Sequence, residues 1–350
     1  MPNYRSYVVM RKTLLFFIKL FIIVAIFTFL ITRAVKGSAL TDLTWNNVHI
    51  SLLLVGFFFN FLATATTLIR WRLLVLALGG KLSLSDAMRL GFIGFMFNLS
   101  PVGIIGGDAI KVYLLAKKNH TSVDDATAGV VIDRVIGLYT MFLMGLLFIV
   151  VTRFATDAAA FVRVIYTGLL VLTAGSTVFL AFFLIPSSSK NRRIQVINAT
   201  PFIGKFLAAI TGSIMKYQRK RRVLFNSFLL TVVVHCCFSI SLYYTARGIF
   251  TQAPSLIDHA VLYCVGNIGS IVPLSAGPLE YLLDELYPFF TTTNHSSIEA
   301  GYGMSVGLTF RLLAVFVALV GVAFYLTSKK EVTEALAQAQ KKDSMKNASK

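Results

Sequence analysis

Charged residues and cysteines are both scarce in this sequence of 350 residues. Only 14% of its residues are charged and 56% are hydrophobic, whereas average soluble chains carry about 25% charged residues. This composition excludes a soluble globular protein. The three cysteines, Cys236, Cys237 and Cys264, lie inside apolar runs, so neither a disulfide framework nor a redox or metal role is indicated.

Catalytic signatures are also missing from the sequence. It contains no Walker loop, no Gly-x-Ser-x-Gly and no His/Cys metal spacing, and its five histidines are scattered. No polar stretch is long enough for a soluble catalytic domain. We therefore expect no ATP-driven pump, no cofactor and no metal. The sequence favours a carrier over an enzyme.

Long apolar runs dominate what is present. A helix needs about 20 apolar residues to cross roughly 30 Å of hydrocarbon, and six runs meet this: about 14–32, 48–69, 129–151, 164–185, 223–246 and 303–326. Two further apolar stretches, about 88–115 and 259–289, contain acids and are broken by Pro and Gly, which predicts re-entrant hairpins. The sequence predicts an all-α integral membrane protein, with one membrane domain over 1–327 and a basic cytoplasmic tail over 328–350.

The basic residues indicate how the chain is oriented. There are 33 Lys and Arg against 15 acids, a net charge of +18. If the two hairpins do not cross, nearly all loop Lys and Arg fall on one face, and the positive-inside rule predicts cytoplasmic termini in the plasma (bacterial inner) membrane. The dense cluster Arg219-Lys220-Arg221-Arg222 has no interleaved aromatics, so nucleic acid is not an expected partner.

The order span, broken hairpin, span occurs twice, over about 48–151 and 223–326. In each hairpin a proline stands seven residues before an acid, and an arginine follows at the start of the closing span; these residues are Pro101, Asp108 and Arg134, then Pro273, Glu280 and Arg311. One span separates the halves, so the second copy would be inverted. Inverted repeats with broken elements are typical of secondary transporters, although chance similarity in an apolar chain is the alternative.

The first hairpin contains candidate substrate-binding residues. Its Pro and Gly residues predict a backbone turn, and the freed N–H groups of the next helix suit an anion such as a phosphodiester. Lys111 lies three residues after Asp108 and could pair with that acid or with a phosphate. Close helix packing by the glycines is the alternative. The candidates are Asn98, Pro101, Gly106, Gly107, Asp108 and Lys111.

The second hairpin and the closing spans supply the other candidates. An acid at membrane depth is costly unless it is paired or hydrated, so we expect Glu280 to meet Arg311, Arg134 or a cationic substrate group. Asp133 and Arg134 lie on different helical faces and each needs an outside partner; Arg134 with Asp108 is preferred, with a lipid phosphate as the alternative. The candidates here are Asp133, Arg134, Pro273, Gly277, Glu280 and Arg311.

Several other polar residues receive structural interpretations. Arg70-Trp71-Arg72 is typical of an interfacial anchor. For Asp284 and Glu285 we expect simple exposure at the interface. His235 in mid-span suggests a proton relay, but a hydrogen-bonded core histidine is preferred.

At these residues the chain resembles the flippase-like transmembrane domain of lysylphosphatidylglycerol synthases and of stand-alone membrane proteins. The resemblance rests on Arg70-Trp71 with Leu73-Leu74, Pro101 with Gly106-Gly107-Asp108, Asp133-Arg134, and Pro273 to Glu280. It implies a protein that moves or presents a lipid, such as aminoacylated phosphatidylglycerol, between leaflets.

The chain departs from the family pattern in ways that suggest a different headgroup. Its second hairpin has a single Gly277 among Ala276, Pro278 and Leu279; Lys111 and Asp133 stand where the family often has Arg and Glu. The soluble aminoacyltransferase domain is not in this sequence, so synthesis of lysylphosphatidylglycerol is not expected.

Three functions therefore compete. The leading hypothesis is a flippase or transporter of a polar or anionic lipid, acting by alternating access between the hairpins. The second is an accessory protein of an envelope-lipid or glycosyltransferase pathway, with a partner enzyme or as a homo-oligomer. The third is a membrane-embedded lipid transferase with Asp108 or Glu280 as base.

Overall fold

The computed structural model describes residues 48–99, 104–119, 121–152, 160–184, 212–271, 277–291 and 301–328, and residues 28, 32 and 298 singly. The main helices of this part of the chain are α1 (Ile50–Ala77), α2 (Leu84–Leu99), α3 (Ile104–Asn119), α4 (Val123–Val151), α5 (Ala160–Leu184), α6 (Arg221–Ile249), α7 (Leu256–Gly266), α8 (Pro278–Leu286) and α9 (Tyr302–Thr327). Short 3-10 turns follow α7 at Asn267–Ile271 and α8 at Tyr287–Phe289.

Five of these helices, α1, α4, α5, α6 and α9, are long and apolar enough to cross a membrane. They correspond to five of the six predicted runs, and the sixth, 14–32, lies outside the described residues apart from residues 28 and 32. Large apolar side chains such as Val164 and Val178 on α5 are exposed on the bundle surface, as a lipid environment requires. The prediction of an all-α membrane protein is confirmed.

The helices extend beyond the apolar runs that predicted them. α1 continues to Ala77 rather than ending near 69, and α4 begins at Val123 rather than 129. Charged residues lie within these extensions, and hydropathy alone excluded them. Ser122 caps the start of α4 by accepting a hydrogen bond from the N–H of Asp125, which fixes the true beginning of that helix.

Both interrupted stretches are hairpins of two antiparallel helical arms. In the first, α2 packs on α3, and a β-carbon on Gly94 would lie 2.5 Å from Cε of Lys111. In the second, α7 packs on α8, and a β-carbon on Gly266 would lie 3.2 Å from Leu283. Pro101 and Pro273 lie outside the described residues. The re-entrant course of the hairpins stays a prediction.

Helices α1 and α6 form an antiparallel pair at the centre of the packing. Ser241 of α6 donates a hydrogen bond of 2.7 Å to the carbonyl of Gly56 on α1. The first arm of each hairpin packs against the closing span of the other half, α2 on α9 and α7 on α4. The second arms pack against the closing spans of their own halves, α3 on α4 and α8 on α9. Helix α5 packs on α4 at the periphery.

The contact between α2 and α9 depends on a glycine. A β-carbon built on Gly321 of α9 would overlap the carbonyl oxygen of Phe92 on α2 and lie 3.0 Å from Cβ of Met96. Backbone atoms cannot move aside as a flexible side chain can. The first hairpin can therefore reach the second half only because residue 321 has no side chain.

We expect Gly321→Ala to lower the free energy of unfolding by about 1–3 kcal/mol, because overpacking forces the two helices apart. Thermal unfolding in mild detergent measures this. Gly175→Ala in α5 is the matched control, since a β-carbon there meets nothing within 4 Å and helix propensity should add up to about 1 kcal/mol. Equal stability of the two variants would contradict the packing role of Gly321.

Candidate functional site

A cavity of about 330 Å³ lies between the two hairpins and the spans α1, α4, α6 and α9. Every helix named above except α5 contributes to its lining. Its volume is at the lower end of small-molecule sites, which run from about 300 to 1,000 Å³. Most of the lining is apolar, including Leu68, Phe95, Val130 and Phe310, so its charged side chains stand out as candidate binding groups.

The first hairpin brings three predicted residues together at this cavity. Asp108 of α3 accepts from Arg134 of α4, with Nε and Nη2 of the arginine 2.8 and 2.7 Å from Oδ2. Nζ of Lys111 lies 3.7 Å from Oδ1 of Asp108 and 5.7 Å from the ring centre of Trp71, within cation–π distance. The preferred pairing of Arg134 with Asp108 is confirmed. The Arg134 side chain is 45% exposed, so an anion can reach it.

The second hairpin contains a carboxylate–arginine pair of the same kind, but its carboxylate is more completely buried. The carboxylate of Glu280 is fully buried; Oε1 accepts from Nε of Arg311 at 2.8 Å and Oε2 accepts from the backbone N–H of Gly277, also at 2.8 Å. Gly277 has φ of 112°, a conformation that favours glycine. Of the partners expected for Glu280, the structure shows Arg311 on α9. The two Nη atoms of Arg311 make no hydrogen bond or ion pair with the residues that the structure describes.

A third ion pair was missed by the sequence analysis. Arg70 donates from Nε to Asp133 at 2.7 Å and from Nη1 to Oγ1 of Thr231 at 2.7 Å, which links α1, α4 and α6. The interpretation of Arg70 and Trp71 as interfacial anchors is wrong, because both side chains are buried and line the cavity. Since α1 continues to Ala77, these residues lie within the packed bundle. One feature of the sequence pointed to this ion pair: Asp133 needs a cation from another helix, because its neighbour Arg134 lies on a different helical face.

Asp284 is a second correction. Instead of lying exposed at the interface, it is buried and its Oδ1 accepts from the N–H groups of Gly301 and Met304 at 3.1 and 3.2 Å. These N–H groups belong to the start of α9, whose first turn lacks partners within the helix. Asp284 therefore holds the second hairpin against the start of the closing span.

The remaining candidates of the first hairpin have mixed placements. Asn98 lines the cavity. A β-carbon on Gly107 would overlap the carbonyl oxygen of Gly94, which favours the close-packing interpretation for that glycine. Gly106 lies in the first turn of α3. The proposed anion site at the start of α3 stays a prediction, because residues 100–103 lie outside the described part.

The charges of the cavity suit an anionic group. Arg70, Lys111, Arg134 and Arg311 line it against the carboxylates of Asp108 and Asp133. Arg134 and Arg311 each offer guanidinium atoms that their carboxylate partners do not use, and a guanidinium can bind a phosphate through two N–H groups. A cationic group on the same ligand would meet Asp108. Among the described residues, no group of acids, histidines and cysteines could hold a metal ion.

A family model described as "Lysylphosphatidylglycerol synthase TM region" matches residues 16–321. The matched range includes every residue that lines the cavity. A search among curated proteins found no match to the chain. The family match indicates a multi-pass membrane protein with a role related to membrane lipids.

The buried pair of Glu280 and Arg311 should be costly to break. We expect Glu280→Ala to lower the free energy of unfolding by about 3–5 kcal/mol, because it leaves Arg311 uncompensated. Thermal unfolding in detergent measures this, and the double variant Glu280→Ala with Arg311→Met should recover part of the loss.

The control is Lys216→Met, which breaks the half-buried pair with Asp125 at 2.8 Å and should cost about 1 kcal/mol or less. If the double variant were as unstable as the sum of its single variants, the two side chains would not interact energetically.

Proposed function

The chain belongs to the lysylphosphatidylglycerol synthase transmembrane-region family, and we propose that it moves a polar or anionic lipid between the two leaflets of its membrane. One observation carries this proposal: both hairpins line a single cavity, and an arginine of each closing span lies in that lining. Arg134 pairs there with Asp108 of the first hairpin, and Arg311 pairs with Glu280 of the second hairpin, which is fully buried and not part of the lining. Such a site can receive a charged headgroup from either hairpin.

We also propose that the two halves, 48–151 and 223–326, are inverted repeats. The contacts between helices support this, because each has a counterpart: α2 on α9 with α7 on α4, and α3 on α4 with α8 on α9. The contact of α1 with α6 joins the first spans of the two halves, so exchanging the halves gives the same contact. A substrate site between inverted repeats is the arrangement that secondary transporters use for alternating access.

The size of the cavity favours binding of a headgroup alone. About 330 Å³ is enough for a small polar molecule, but two acyl chains would not fit. The chains would stay in the hydrocarbon beside the bundle, while the headgroup exchanges protein ion pairs for contacts with Arg134 and Arg311. An aminoacylated headgroup would place its ammonium at Asp108.

The described residues support the proposed orientation in a plasma (bacterial inner) membrane. Lys216 pairs with Asp125, and Arg72 donates to the carbonyl of Leu82 at 2.9 Å. Tyr217 donates to the carbonyl of Leu74 at 3.0 Å. These contacts gather the basic segments 72–89 and 216–222 and the start of α4 at one end of the bundle, the end that the positive-inside rule makes cytoplasmic.

Translocation in proteoliposomes tests the proposal. Phosphatidylglycerol with a fluorescent acyl chain is reconstituted with the protein, and a membrane-impermeant quencher reports exchange between leaflets. We expect Asp108→Asn and Glu280→Gln each to slow translocation at least about tenfold, because each unbalances a charge pair at the cavity. Lys216→Met, whose ion pair lies away from the cavity, should translocate like the wild type.

Full translocation by both variants would contradict the proposal. If the wild type translocates no lipid but copurifies with a membrane enzyme, the accessory-protein hypothesis replaces it. The transferase hypothesis would require a new lipid product from pure protein, lipid and donor.

A further inference from the structure

Two buried polar side chains that line the cavity have atoms without a hydrogen-bond partner among the described residues. Neither Nδ2 nor Oδ1 of Asn60 has a partner among the residues that the structure describes, although this side chain is completely buried. His235 is 6% exposed; one ring nitrogen, Nε2, lies 3.1 Å from the carbonyl of Gly137, while Nδ1 has no described partner. Both residues line the cavity.

Such groups call for an explanation, because buried polar atoms in native proteins nearly always have partners. Two more residues of the lining have such an atom within the described part of the chain, Nε1 of Trp71 and Oδ1 of Asn98. The four residues lie around one cavity, and their unpaired atoms include both donors and acceptors. A ligand that enters among these side chains would provide the missing partners.

Asn60 and His235 lie on the first spans of the two halves, α1 and α6. Their own carbonyls are occupied within the helix: Thr64 donates to the carbonyl of Asn60 at 3.0 Å, and Ser239 donates to the carbonyl of His235 at 2.8 Å. Each half therefore contributes one neutral hydrogen-bonding side chain of its first span to the lining that also contains the charged groups of Asp108, Arg134 and Arg311.

We propose that Asn60 and His235 form a neutral subsite that binds the hydroxyl groups of a glycerol or sugar headgroup. Asn60 needs an acceptor for Nδ2 and a donor for Oδ1. A hydroxyl provides both, whereas an ammonium only donates and a phosphate only accepts. This inference rests on the proposed function: the lipid phosphate binds Arg134 or Arg311, and the hydroxylated part of the headgroup extends to Asn60.

The test compares three lipids with identical acyl chains and one negative charge: phosphatidylglycerol, phosphatidylinositol and phosphatidylpropanol. The third lacks headgroup hydroxyls. Competition for the purified protein, read by native mass spectrometry, should show that the wild type prefers a hydroxylated lipid over phosphatidylpropanol by about tenfold, as expected for one or two added hydrogen bonds. Preference for phosphatidylglycerol identifies a glycerol subsite, and preference for phosphatidylinositol a sugar subsite.

Asn60→Leu should abolish this preference, because leucine offers a hydroxyl neither a donor nor an acceptor. His235→Leu is a second variant with the same expectation, should the first fail to fold. The matched control is Thr140→Val on α4, since Thr140 is also buried with no described partner for its hydroxyl but is absent from the cavity lining; it should keep the preference. Arg311→Gln should weaken binding of all three lipids equally.

Equal wild-type affinity for the three lipids would overturn the subsite and leave the charged site intact, as would a preference that survives in Asn60→Leu and His235→Leu. Wild-type protein that binds none of the three would overturn the subsite and the proposed lipid function together.

Discussion

Charged side chains inside the bundle have to find partners within the protein, because hydrocarbon offers them neither water nor counter-ions. Three ion pairs meet this constraint, and each joins different helices: Arg70 with Asp133, Arg134 with Asp108, and Arg311 with Glu280. The first fixes α1 to α4, and the other two fix the hairpins to their closing spans. The positions of the hairpins, and so the shape of the cavity, depend on these pairs.

The three ion pairs differ in how many protein partners each arginine has and in how exposed its side chain is. Arg70 uses Nε for Asp133 and Nη1 for Thr231, so it is held by two helices besides its own. Arg134 is half-exposed, and Arg311 uses only Nε for its carboxylate. Arg70 is therefore a structural link between helices, whereas Arg134 and Arg311 keep guanidinium atoms that their carboxylate partners do not use. Under the proposed function, a ligand phosphate that binds Arg134 or Arg311 would weaken the contact between a hairpin and its closing span.

Hydropathy and charge predicted the spanning helices and the interrupted elements, because lipid imposes long apolar helices directly on the sequence. The pair of Arg134 with Asp108 was predictable for a related reason: an acid and a base in neighbouring apolar segments have few other partners. The burial of Arg70, Trp71 and Asp284 was not predicted. Each lies near the end of an apolar run, and only the packing of other helices decides whether such a residue faces water or the interior.

The unpaired polar atoms of Asn60 and His235 could not be predicted from the sequence. A lone polar residue in an apolar run is typical of a satisfied core residue, and His235 half fits this expectation through its bond to the carbonyl of Gly137. The structure adds that both side chains border one cavity and leave polar atoms unpaired within the described chain. Leaving them so lowers stability, and selection tolerates such a cost where function needs it. Under the proposed function, the arginines would attract an anionic headgroup, and the amide of Asn60 and the imidazole of His235 would distinguish among headgroups of equal charge.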